Sequence, residues 1–235
     1  MSECFELTRG CVLRATLLDS CGLPLGGPRS SVVTKCAAKV TVTPVISTRS
    51  DEVLRDDDNK GSIHIPAKST TTRYTADLDL IGVNPDLITL LTGHPLVRNA
   101  RGDVVGNDII TTLAPSNFAL EIWTKLARPV SGNRYGWTLL PRLRGGRLTA
   151  PRFANAAVNF NVVGAHTVPS SLWGTGPYAN GWDSTGWDMG PWDETPIQMV
   201  GPRTHWRVSL ADQIPVPSCG AQALDVEGSI ETPFE

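Results

Sequence analysis

Residues 72–93 read TRYTADLDLIGVNPDLITLLTG, and the reading of this stretch decides the fold. Its first half alternates: Tyr74, Ala76, Leu78 and Leu80 share one side, and Thr75, Asp77 and Asp79 the other. Period-two alternation predicts a half-buried strand whose polar face carries two carboxylates. The second half switches to helical punctuation. Asn84 is placed to accept an amide hydrogen bond as N-cap, and Pro85 sits at the first helical position, where its missing N–H costs nothing. Asp86 meets the positive helix end, and Gly93 can take the left-handed conformation that ends a helix. Leu87, Leu90 and Leu91 form one apolar stripe, so a helix over about 84–92 is predicted. At about two turns it is too short to stand alone and must pack across a sheet.

Outside this stretch the chain reads as strands and turns. Strand candidates are Thr8–Asp19, the alternating CAAKVTVTPVI at 36–46, Asn117–Lys125, Arg134–Leu143, Ala156–Val168 and THWRVSLAD at 204–212. The turn-rich SCGLPLGGPRSS at 20–31 reads as an exposed loop, as does NARGDVVGND at 99–108. Residues Ser47–Ser69 are polar and charged, with too little apolar content to anchor a core, and read as a solvated hairpin or long loop. Strands joined by turns, with one helix and no alternating β/α pattern, predict an all-β, antiparallel sandwich or barrel. The expected division is a β-sandwich over 1–169 and a Gly-, Trp- and Pro-rich arm with a final strand over 170–235.

Composition narrows the function. With 235 residues the chain is expected to bury roughly 70% or more of its unfolded surface, so it needs no staple. Lys and Arg number 21 against 23 Asp and Glu, which lacks the basic footprint of a protein built to grip nucleic acid. Cys4, Cys11, Cys21, Cys36 and Cys219 form no zinc spacing and are odd in number, so reduced thiols are expected. The acidic MSECFELTRG start lacks an apolar signal segment, and no run has the length of a membrane span, so folding in a cytosol is expected.

Motifs for chemistry are weak. His64, His94, His166 and His205 stand singly, as structural or surface histidines do. DDDNKG at 56–61 begins like a calcium loop, but Lys60 and Ala67 occupy positions that need oxygen ligands. Gly174, Gly176 and Ala179 match a dinucleotide pattern that Pro177 and the missing strand and helix contradict. Asp77 and Asp79 read as a hydrated face rather than an acid/base pair. No catalytic residue, metal or cofactor is expected. Trp-Asp recurs at Trp182, Trp187 and Trp192, a period far too short for propeller blades. Such indoles suit an arm docking on a neighbouring copy, or alternatively the stacking platform of a glycan-binding or receptor-contacting module.

Several stretches together resemble the tail tube (major tail) proteins of long-tailed phages that infect actinobacteria. They are RGCVLRATLLDSCGLPLGGPRSSVVT (9–34), DLDLIGVNPDLITLLTG (77–93), NFALEIWT (117–124), RYGWTLLPRLRGGRLT (134–149), FNVVGAHT (160–167) with WGTGPY (173–178), and HWRVSLADQIPVPSCGAQAL (205–224). The resemblance implies a β-sandwich with one flanking helix, assembled as a hexameric ring whose inner strands join into a continuous β-barrel, with rings stacked as a tube. It implies a virion tail location after assembly in the host cytoplasm, with tape measure, tail terminator and distal tail proteins as partners and no membrane. Double-stranded DNA would pass through without specific binding. A long early loop reaching the next ring corresponds to Ser47–Ser69, making Asp56, Asp57 and Asp58 candidate assembly contacts beside Trp182, Trp187 and Trp192. The Trp-Asp repeat departs from the family pattern. A bore lined by carboxylates and hydroxyls would let phosphate slide, since cationic contacts add affinity. Thr75, Asp77 and Asp79 are the lumen-lining candidates, followed by Glu121.

Overall fold

The computed structural model describes residues 7–35, 37–55, 62–81, 84–111, 113–130, 133–150, 159–169, 203–211, 214–215, 217 and 220–224. Its centre is one large antiparallel sheet. Fourteen strands are formed among the described residues: β1 (Leu7–Leu17), β2 (Gly27–Thr34), β3 (Ala37–Arg49), β4 (Glu52–Arg55), β5 (Ser62–Ile65), β6 (Lys68–Ile81), β7 (Leu96–Arg98), β8 (Val104–Asn107), β9 (Asn117–Val130), β10 (Asn133–Arg144), β11 (Arg147–Leu148), β12 (Asn159–Thr167), β13 (Arg207–Ala211) and β14 (Ala221–Leu224). The order in the large sheet is β14-β2-β1-β9-β10-β12-β6-β3, with β13 alongside β10 and β11 alongside β12. The hairpins β4–β5 and β7–β8 stand apart from it.

The sheet curls over on itself. Although β9, β10, β12 and β6 stand between β1 and β3 in the order, β3 comes back close to β1. One core therefore collects Leu13, Ala15, Phe118, Leu120 and Leu140 from one half and Ala76, Leu78, Leu80, Val162 and Ala165 from the other. This is a sandwich-like architecture, as the alternation in residues 74–80 predicts. A second cluster lies on the opposite face of β1, β9 and β10: Val12, Val33, Ala119, Trp123, Trp137, Leu139 and Ala211. The middle strands are thus covered on both sides. Every residue from Val12 to Leu18 is buried, which is why that strand shows no clean alternation.

The helix α1 (Pro85–Thr92) has the predicted caps. The Leu87 amide donates to Asn84 Oδ1 at 3.2 Å, and Gly93, at φ 82°, donates its amide to the Thr89 carbonyl at 2.7 Å. Leu87, Leu90 and Leu91 enter the first core. Asp86 does more than meet the helix dipole: it pairs with Arg29 on β2 and accepts the Ala221 amide of β14 at 3.1 Å. The helix is so tied to the sheet end that its leucines cover.

Close packing under this helix gives a direct prediction. A Cβ on Gly146 would lie 2.9 Å from Val162 Cγ1 and 3.0 Å from the Leu91 carbonyl oxygen. The carbonyl belongs to the helix backbone and cannot swing away. Gly146→Ala is therefore expected to cost about 1–3 kcal/mol in urea unfolding, while Gly106→Ala, with open space around it, serves as the control.

Candidate functional site

Past the body, β3 and β6 continue together as a two-stranded ribbon. Their register runs from Ala37 opposite Leu80 to Arg49 opposite Lys68, and past Thr75, where pairing of β12 with β6 ends, no third strand joins them among the described residues. From Ile46 to Arg49, and from Lys68 to Arg73, every residue is exposed. The ribbon leads into β4–β5, so the described parts of Ser47–Ser69, residues 47–55 and 62–69, form the paired arms of the solvated hairpin that its polarity suggests. Asp51 fastens the joint: its Oδ2 lies 2.8 Å from His64 Nε2 and its Oδ1 accepts the Ala67 amide at 3.1 Å. A cleft of about 570 Å³ opens beside it, lined by Ser47, Arg49, Ile65, Pro66, Lys68 and Thr72 among others. Ile46 is 58% exposed and Val53 51%, apolar side chains that the described residues leave uncovered.

At the root of the ribbon, Tyr74 donates its amide to Thr167 Oγ1 at 3.0 Å, and that oxygen is 2.7 Å from His205 Nδ1. The Tyr74 ring stands edge-on to His205 and Trp206, with centroids 5.5 and 6.4 Å away. This joint between β6, β12 and residues 205–206 leaves no mark in local sequence pattern, because its members are far apart in the chain.

Burial holds His205 and His94 below the ordinary imidazole pKa. His166 is also lowered, first by burial and then by Arg73, with a hydrogen bond to the Gly164 backbone acting the other way and Arg144 adding a further lowering. Each ring binds its proton less readily folded than unfolded. Stability is thus complete above the unfolded value of about 6.5 and falls as protons bind the unfolded chain. The urea midpoint is expected to drop between about pH 7.5 and about pH 5.5; a midpoint that is constant or higher at the acid end contradicts this.

Thr75, Asp77 and Asp79 do face away from the core, half-buried between their neighbours. Their row is not a wall of carboxylates. Lys39 lies opposite Asp79 on β3, and Asn161 flanks Asp79 on β12. Arg73 shares the polar side of β6, and Arg144 and His166 continue the row that begins at Thr75. Asp77 is engaged structurally: its Oδ1 accepts the Gly164 amide at 2.9 Å, at a bulge between Val162 and Ala165 where Gly164 takes φ 76°. Alternation along one strand finds which residues face out but is blind to what the next strand sets beside them. The expectation of a purely anionic and hydroxyl lining is accordingly corrected to a mixed-charge surface.

Glu121 is a second correction. It is 0% exposed and belongs to the interior between the middle strands and the second cluster. Arg14 pairs with it through Nε and, at 3.0 Å, through Nη2. Trp137 Nε1 donates to Oε1 at 3.1 Å, and the Arg14 guanidinium lies 5.4 Å from the centre of the Trp123 ring. A carboxylate saturated in this way is a structural pin, not a lining group or an acid/base catalyst. The signal that could have revealed it is Arg14, a charge inside an unbroken apolar strand.

Asp56, Asp57, Asp58, Trp182, Trp187 and Trp192 lie outside the described residues. Among the described residues no group of three metal-ligating side chains converges, and no helix is long and apolar enough to cross a membrane. Comparison with protein-family models and with curated protein sequences finds no match to this chain.

Proposed function

We propose that the chain is a structural subunit of the tail-tube kind, which polymerises through its sheet margins into stacked hexameric rings and forms a conduit for double-stranded DNA. The observation that supports this best is the edge of β3, thirteen residues long and unpaired on its outer side among the described residues, continuing into a ribbon that these residues leave bare on both faces. A long free edge offers unpaired amides and carbonyls to any passing strand, a hazard that proteins remove by covering it or closing the sheet. Pairing with identical copies removes the hazard and makes a ring in one step. The exposed Ile46 and Val53 on the ribbon suit the same use, since apolar anchors at the centre of a contact carry most of its energy.

The helix answers the remaining physical need. One face of a ring-forming sheet borders the bore and the other requires a cover; α1, capped at both ends and pinned by Asp86, is that cover. Sedimentation velocity on the purified chain tests the proposal. Species far heavier than the 25.3 kDa subunit, growing with concentration, are expected. A subunit that stays single at every concentration contradicts it.

A further inference from the structure

Three strands bring a cationic cluster to one spot on the outer face. Arg144 on β10 lies opposite His166 on β12, and His166 lies opposite Thr75 on β6. Residues directly opposite in antiparallel strands project to the same side with Cβ atoms about 4.5–5.5 Å apart. Arg73, two residues before Thr75, projects to that side as well. Both guanidinium groups are on exposed residues, and neither has a side-chain hydrogen bond or ion pair among the described residues. The carboxylate closest along β6, Asp77, is occupied by the Gly164 amide. The His166 ring stands in this row beside the same bulge. Two long cations flank an imidazole, and no carboxylate among the described residues pairs with either of them.

We propose that Arg73, His166 and Arg144 form an oxyanion site that takes a phosphate group, presented either as free orthophosphate or by a nucleic-acid backbone. Two guanidinium forks match the oxygens of phosphate, and a protonated imidazole between them adds a charge-assisted donor. A bound dianion opposes the lowering that Arg73 and Arg144 impose on His166, so binding favours proton uptake at that ring. The charged and titratable groups around His166 are Arg73 and Asp77 on β6, Arg144 on β10, Arg147 on β11, and His205 across Thr167. The site needs no assembly to form, although it lies on the side of the sheet that carries the lumen-lining candidate Thr75.

The test uses the full chain with two probes at matched ionic strength: radiolabelled orthophosphate in equilibrium dialysis and a fluorescent duplex oligonucleotide in anisotropy. At least one probe is expected to bind, with affinity rising as pH falls through the imidazole range. Arg73→Gln with Arg144→Gln is expected to weaken binding by about tenfold or more. His166→Gln is expected to abolish the pH dependence, and His205→Gln to leave it in place. If the duplex binds, with a log–log salt slope that falls by about 1 for each arginine removed, the source is a nucleic-acid backbone. Orthophosphate binding alone assigns the site to the free ion. Absence of binding by both probes, or binding unchanged in the double variant with its thermal unfolding intact, overturns the proposal.

Discussion

Replacing Glu121 by Ala is expected to destabilise the fold by about 3–5 kcal/mol, the range for breaking a buried ion pair from one side. The substitution removes the carboxylate against which Arg14 is buried, at 1% exposure, and takes the acceptor from the Trp137 indole. Water cannot enter to solvate what is left, because Trp123, Trp137 and Leu139 close the surroundings. Against a typical total stability of about 5–15 kcal/mol, such a loss removes from about a fifth to all of it. The companion variant Arg14→Met/Glu121→Leu removes both charges and keeps the volume, and is expected to return close to the parent stability. Urea unfolding measures both. A Glu121→Ala midpoint within the scatter of ordinary surface substitutions, about 0.5 kcal/mol, would place the carboxylate at solvent and sink the assignment.

The second large effect concerns assembly. Ile46→Asp puts a charge in the middle of the bare ribbon, where Ile46 is 58% exposed and supports nothing inside the body. The isolated subunit is expected to unfold at the same urea concentration as the parent, because surface changes of this kind cost within about 0.5 kcal/mol. Assembly is expected to require a concentration higher by about thirtyfold or more, equivalent to losing about 2 kcal/mol at one contact anchor. Sedimentation against concentration reads the second effect and urea the first. A variant that assembles like the parent shows that the ribbon does not make the contact.

How much of this was legible in the sequence follows from what covers each face. From Tyr74 to Leu80 strand β6 has solvent on one side only, so its alternation is readable there, and so is the helix, whose signals at Asn84, Pro85 and Gly93 are local. Strand β2 was read as a loop because GGPRSS is turn-like, yet Ser30 and Ser31 are both 0% exposed inside the sheet. Small polar residues were tolerated there by strand pairing with β1 and β14, which no local pattern records. The short hairpin β7–β8 was likewise hidden behind Gly, Asn and Asp. Glu121 went wrong for the converse reason: alternation assumes one wet face, whereas β9 has none at that point. The cluster of Arg73, His166 and Arg144 needed the register of three strands and lay beyond any single-strand reading.

Electron microscopy of the purified chain, with helical reconstruction of whatever it forms, tests the central claim most directly. The account predicts hollow tubes built of stacked rings in which the β3 edge of each subunit is paired or covered by a neighbouring copy. Uniform single particles of subunit size, with that edge open to solvent, would contradict it.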